Sequence, residues 1–253
     1  MIATLHDPQE RIDKRVVADS FSRAAPRYDS VAHLQRLVAE QMLTWLPKQP
    51  FSRPILDVGC GTGYVVDQVL RRHPEADCIG LDIAEGMLRY SREHFADNAL
   101  YANNRRVQWL CADAEHLPLA DSSIDVATSN FALQWCGNLG RAFVEIHRVL
   151  AAQGRFLVTL PADDTLWELK ESWRAADPAH SHVNQFADES LVRQAARRAG
   201  FKIKRAAILS RCVFYPDVAG LTDELKTLGA HNATLGRSKT LTPKGVYRRM
   251  LAS

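Results

Sequence analysis

The segment Ile55-Leu56-Asp57-Val58-Gly59-Cys60-Gly61-Thr62-Gly63-Tyr64 constrains this chain more than any other. A run of strand character carries an acid, empties into three alternating glycines, and is followed by an amphipathic helical pattern over 63–73. A second apolar run over 77–82 ends in Asp82. Strand, glycine turn, helix, strand and terminal acid make a crevice for an adenosine-bearing cofactor at the carboxyl edge of a parallel sheet. The glycine spacing chooses among such cofactors. A dinucleotide fingerprint, G-x-G-x-x-G, needs its third glycine where Tyr64 stands, which weakens a nicotinamide oxidoreductase reading. Here the glycines fall as G-x-G-x-G behind an acid, with no Cβ to keep a ligand off the backbone.

The pattern around this segment predicts an α/β fold. Strands are expected at 54–58, 77–82, 106–111, 124–129 and 154–160, alternating with helices at 63–73, 85–96 and 138–150. Short crossovers of this kind imply a doubly wound, mostly parallel sheet covered on both faces. Ahead of it, 15–25 is expected to form a helix that Pro26 stops, and 31–46 a second one. Together they make an N-terminal helical lid over 1–53. A core over 54–160 and acceptor-side elements over 161–253 complete one domain, 1–253. In the last part 166–176 is expected to be helical, Asp188 to cap a helix ending at Gly200, and 201–215 to form one long strand. Helices near 217–228 and 242–251 finish the chain.

At 253 residues with 46% hydrophobic and 24% charged residues, the composition is that of a soluble globular protein. No apolar stretch approaches the ~20 residues of a membrane span, and the start has no apolar core like a secretory signal. The five cysteines show no C-x-x-C pair and read as free thiols, so a cytoplasmic location is expected. No His/Cys spacing suggests a metal. Residues 1–53, 54–160 and 161–253 carry net charges of +2, −4 and +5. The basic last third, including Arg193, Arg197, Arg198, Lys202, Lys204 and Arg205, is either a solvated face or a surface that steers an anionic partner. Aromatic residues are not interleaved with it, which argues against nucleic acid.

The glycine segment resembles the first motif of the S-adenosylmethionine-dependent methyltransferases of class I, which have a Rossmann-like fold. Cofactor contacts are then expected at Asp57, Gly59, Cys60, Gly61 and Gly63, with Asp57 organising the loop near the methionine ammonium. Asp82 suits the two ribose hydroxyls. Ile83 and Met87 follow it, to pack on adenine or in the core. The resemblance also gives Asp113 the adenine amino group, Ala114 a place against the ring, and Asn130 a place near the transferring methyl. Sheets of this type end in a reversed hairpin, yet no second β-rich run follows 201–215. Either the last strand lies beyond Ser253 or the sheet is completed differently.

Three further segments carry a narrower likeness: Gln134-Trp135-Cys136-Gly137-Asn138-Leu139, His182-Val183-Asn184-Gln185-Phe186 and Leu225-Lys226-Thr227-Leu228-Gly229-Ala230. With Phe21-Ser22-Arg23-Ala24-Ala25 and Leu34-Gln35-Arg36, they resemble the malonyl-carrier methyltransferases of biotin synthesis, the BioC family. That implies methyl ester formation on the free carboxylate of a malonyl thioester, with S-adenosylmethionine as donor and malonyl-loaded acyl carrier protein or malonyl-coenzyme A as partner. No catalytic base stands out among the residues, which suits an acceptor already ionised at pH 7. Tyr28, Gln134, Trp135, His182 and Asn184 are expected to position the acceptor, with Arg23 and Arg36 the leading cations for its carboxylate. Methylation of another small acceptor, a quinone or a different acid, is a second reading. A protein that binds the cofactor without turnover is a third.

Overall fold

The computed structural model describes residues 12–48, 50–98, 106–230, 232–233 and 243–252. Five strands, β1 (Ile55–Val58), β2 (Cys78–Asp82), β3 (Val107–Cys111), β4 (Ile124–Asn130) and β5 (Leu150–Thr159), form one sheet in the order β3-β2-β1-β4-β5. Every pairing is parallel. The chain leaves β1 in one direction to build β2 and β3, then returns to add β4 on its other side. The strand order therefore reverses at β1, where carboxyl ends part and a ligand crevice opens.

Period-two alternation sorts β1 between two cores. Leu56 and Val58 join Phe143 and Ile146 of α5 (Leu139–Val149) on one face. Ile55 joins Val65, Val66 and Val69 of α3 (Tyr64–Arg72), and Met42 and Leu43 of α2 (His33–Leu43), on the other. The expected α/β architecture is therefore present.

Two expectations are corrected. The first helix, α1 (Lys14–Tyr28), runs through Pro26 instead of stopping before it. A proline in the last turn forfeits a single i→i−4 bond, and Ala24, Ala25 and Tyr28 hold the turn by packing on Met87 of α4 (Glu85–Asp97) and on Ala84 just before it. The approach is close enough that a Cβ on Gly86 would lie 2.6 Å from the Ser22 backbone. The second correction concerns 201–215, where no strand forms. A strand requires a ladder partner, and this segment has none among the described residues; Phe201 packs on Phe143 and Phe156, but 202–214 is exposed, with Phe214 at 92%.

Beyond the sheet, α6 (Trp167–Ala176), α8 (Val218–Thr227) and α9 (Lys244–Ala252) build a separate small core around Leu169, Trp173, Leu221 and Met250. Asp188 caps α7 (Glu189–Arg198) by accepting from the Leu191 amide at 2.9 Å, as expected.

Candidate functional site

The glycine loop at the end of β1 is held from below by backbone. The Gly59 and Cys60 amides both donate to the Leu81 carbonyl, at 2.7 and 2.9 Å. All three glycines have positive φ, and a Cβ on Gly59 would sit 2.1 Å from that of Ala132. Around Gly61, by contrast, such an atom meets nothing within 4 Å, so this glycine borders open space.

Two carboxylates frame the loop. Asp82, at the end of β2, accepts from the Gly61 amide at 2.9 Å and from the Ala84 amide at 2.8 Å, tying the loop to the start of α4. Burial raises its pKa, against the pull of those amides. Asp57, 3% exposed, accepts from the Thr128 hydroxyl at 2.8 Å through Oδ1, while its buried Oδ2 has no partner. Burial pushes the Asp57 carboxyl up to about 7; the Thr128 bond opposes the rise and the Asp82 charge adds to it. A buried acceptor left unpaired is costly unless a ligand satisfies it.

The lid supplies a cation to the same loop. Arg36 of α2 pairs with Asp29 at 3.0 Å and lies 5.3 Å over the Tyr64 ring, and its buried Nε donates to nothing. Asp29 in turn accepts from the Thr62 hydroxyl inside the loop at 2.8 Å. An orphaned donor on a cation and an orphaned acceptor on an anion thus lie at one glycine loop. Arg23 is exposed on α1.

Asp113, in the loop after β3, accepts from the Lys14 ammonium at 2.6 Å and from the Glu115 amide at 3.0 Å. Partial burial works to raise its carboxyl, yet those two partners hold it below the usual range. Ala114 beside it is half-buried, as is Ile83 after β2, whereas Met87 is buried in the α1–α4 seam. Cys60 is buried, which raises its thiol.

Beside β1, β4 ends in Asn130, which donates to the Gln35 carbonyl at 3.0 Å and accepts from the Thr159 hydroxyl at 2.7 Å. Phe131 follows with φ of 50°, an outlier for a bulky residue and a form of strain that concentrates at functional sites. The next turn carries Gln134, whose Nε2 donates to the Phe131 carbonyl at 2.7 Å and whose buried Oε1 is unpaired. Trp135 meets Phe21 of α1 edge to face, 5.4 Å between centroids.

Tyr28, Gln134, Trp135, His182 and Asn184 line one cleft that continues along β5 to the 203–214 segment. Tyr28 also belongs to the glycine-loop side. Burial first, then the charges of Asp82 and Asp29, raises its hydroxyl, so it stays a proton donor. His182 has its Nε2 on Asp177 at 2.8 Å and its ring stacked on Trp173 at 3.9 Å. Asn184 accepts from the Ala233 amide at 3.3 Å.

Sequence reasoning missed Lys14, Glu115 and Thr159. Lys14 left one usable sign: a cation in the first turn of a helix opposes the macrodipole, which calls for an acidic partner elsewhere. No group of three or more metal-ligating side chains exists among the described residues, and no described helix is long and apolar enough to cross a membrane.

A family described as "Methyltransferase domain" matches residues 56–158. Solved structures give the same fold. An S-adenosylmethionine-dependent methyltransferase of Thermotoga maritima superposes with a TM-score of 0.54 at 21% identity, over 74% of this chain and 82% of that one. Phosphoethanolamine N-methyltransferase 2 of Haemonchus contortus, in complex with S-adenosylhomocysteine, gives 0.53 at 18% identity, over 71% and 42%. Sheet order, reversal point and glycine loop define a methyltransferase of the Rossmann-like class I type. The malonyl-[acyl-carrier protein] O-methyltransferases of Gallionella capsiferriformans and Methylococcus capsulatus are 39% and 41% identical to it, covering 95% and 94% of this chain and 83% and 84% of theirs. The chain belongs to the malonyl-[acyl-carrier protein] O-methyltransferase family. It is also 39% identical to the biotin biosynthesis bifunctional protein BioHC of Cellvibrio japonicus, of whose length it spans only 44%.

Proposed function

We propose that this chain uses S-adenosylmethionine to methylate the free carboxylate of malonyl-acyl carrier protein in biotin synthesis. The observation that carries the acceptor class is the 39% and 41% identity, over 95% and 94% of this chain, to malonyl-[acyl-carrier protein] O-methyltransferases. The buried Tyr28 hydroxyl, shared by the cleft and the glycine loop, suits that acceptor as a donor to its carboxylate. His182 stands in the cleft wall with its Nε2 on Asp177 and its ring face on Trp173.

The residues suit a zwitterionic adenosyl cofactor. The orphaned Asp57 Oδ2 would take the methionine ammonium, and Gly59, Cys60, Gly61 and Gly63 would let the chain of the ligand lie on backbone. Asp82 has lone pairs left for the ribose hydroxyls, Ile83 and Ala114 lie beside the adenine place, and Asp113 accepts its amino group. The sulfonium supplies a methyl already activated for transfer.

The protein's own work is then alignment and exclusion of water. Tyr28 and Arg36 hold the malonyl carboxylate, Gln134 and Trp135 form the wall after β4, and Asn130 fixes that wall to α2 and β5. With that cofactor bound, an ionised oxygen held there would accept the methyl and leave a neutral thioether, so these residues would have no proton to move.

An acidic carrier would dock on the basic last third. Within it Arg193 is paired with Glu189 and Arg205 lies over Trp45, but Arg197 and Arg198 at the end of α7 are exposed. Reversing the charge of both is expected to slow turnover of malonyl-carrier by about tenfold at low salt, and of malonyl-coenzyme A far less. Equal losses on both substrates reject that location. The reading as a whole is tested with labelled S-adenosylmethionine, malonyl-carrier and mass analysis of the acyl group. A gain of one methyl that base hydrolysis removes supports it; tight cofactor binding with no gain favours a binding protein without turnover.

A further inference from the structure

We infer that Lys14 is a positioning residue that fixes Asp113 for the adenine amino group and makes cofactor binding order the acceptor-side loop through the start of α1. The inference rests on the cofactor placement proposed above and extends it to a residue outside every motif of the sequence.

The geometry is specific. The Lys14 ammonium lies 2.6 Å from Asp113 Oδ2 and 2.7 Å from Glu115 Oε1, so one cation from the lid bridges two acids of the loop after β3. Glu115 is 7% exposed, and its Oε1 also accepts from the Asn138 amide at 3.0 Å, at the cap of α5. Lys14 thus joins the lid, the adenine loop and the start of α5 at one point. Partial burial would lower its pKa, but the two acids raise it overall, so it stays charged. With Lys14 on Oδ2 and the Glu115 amide on Oδ1, Asp113 is fixed in one orientation and kept ionised. An ionised carboxylate accepts from an amino group and repels an oxo group in the same place.

The same helix end is gripped from the acceptor side. Asp13, the cap of α1, donates its amide to the Ala233 carbonyl at 2.9 Å. The Ala233 amide donates to Asn184 Oδ1 at 3.3 Å, and Asn232 Nδ2 donates to the Ser181 carbonyl at 2.7 Å. A continuous path therefore runs from the adenine loop through Lys14 and Asp13 to residues 181–184 of the cleft. Rotating α1 away from Asp113 would pull on both ends.

The test compares the wild type, Lys14→Met and Lys14→Arg by calorimetric binding of S-adenosylhomocysteine and of its deaminated counterpart, whose 6-amino group is an oxo group. Wild type is expected to prefer the amino compound. Lys14→Met should weaken it by about tenfold, the order of one charge-assisted hydrogen bond, and weaken the oxo compound by twofold or less. Lys14→Arg should restore most of the difference. Hydrogen exchange then reads the far end: S-adenosylhomocysteine should protect amides at 181–184 in the wild type and lose that protection in Lys14→Met.

Equal weakening of both compounds assigns Lys14 to the fold of the lid alone and overturns the inference. No weakening of either does so too, as does protection at 181–184 that survives in Lys14→Met. A wild type that does not distinguish the two compounds overturns the adenine placement itself, which separates that failure from one confined to Lys14.

Discussion

The centre of the sheet and its outer flank are built to different standards. At its centre β1 has a parallel neighbour on each side, its four residues are buried, and its glycine loop is fixed by the Leu81 carbonyl and by Asp82. At its outer flank β5 pairs only with β4 among the described residues, and 202–214 is exposed chain without a ladder partner among them. The centre holds its shape by hydrogen bonds made before any ligand arrives. It leaves two buried polar atoms without a hydrogen-bond partner, Asp57 Oδ2 and Arg36 Nε. The flank has the opposite problem: exposed apolar side chains, Ile208, Val213 and Phe214, with no ladder formed beneath them among the described residues. Preorganisation is thus concentrated where charge must be placed to within a fraction of an ångström.

The largest predicted effect tests how rigid the centre is. Gly59→Ala must put a methyl 2.1 Å from the Ala132 Cβ at a φ of 72°. We expect a loss of about 3 kcal/mol or more in stability and no measurable cofactor binding. Gly61→Ala, at a φ of 53° with open space around it, should cost only about 1–2 kcal/mol. Chemical denaturation of both variants checks the contrast, and equal losses would mean that the loop yields as a whole.

Asp57→Asn comes next. Burial raises the folded carboxyl to about 7, against about 4 in the unfolded chain. Between those values the folded, ligand-free protein binds a proton that the unfolded chain has released, so its stability falls as pH rises from about 4 to about 7. Asn carries no such proton, and the variant should lack this part of the fall. It should also bind S-adenosylhomocysteine about 100-fold more weakly at pH 8, because the ammonium loses its counter-charge. Melting curves across pH, with and without that ligand, decide it. Parallel pH profiles for wild type and variant would refute the burial of this charge.

The same contrast explains what the sequence disclosed. The sheet core was legible because apolar period, glycine spacing and terminal acids are local signals, and each strand from β1 to β5 falls at or near its expected place. β5 begins at Leu150, four residues earlier than expected, with Gln153 at φ of 65° just after its first turn of pairing. The 201–215 segment misled because β-branched and aromatic residues report a capacity to pair, not the presence of a partner. Pro26 misled because a proline rule describes an isolated helix, whereas this one is pinned to α4. Lys14 was invisible for a different reason: its acids lie 99 and 101 positions away, and no local pattern encodes an ion pair closed by the fold.

The smallest predicted effect probes the flank. Phe214, 92% exposed, should tolerate Phe214→Ser within about 0.5 kcal/mol. Phe143→Ala, at 1% exposed between β5 and α5, should cost about 3–5 kcal/mol. Thermal melts of the two variants at matched concentration give the comparison directly. Should Phe214→Ser approach the cost of Phe143→Ala, the side chain is buried in solution. The outer edge of β5 would then be covered by chain that pairs with it or packs on 201–215. In that case centre and flank differ only in when they are completed, since an exposed strand edge with apolar neighbours does not stay unpaired at high concentration. A small effect in Phe214→Ser, with the Phe143 cost intact, means that the packed core beneath β5, and not the 202–214 segment, carries the stability of this side of the sheet.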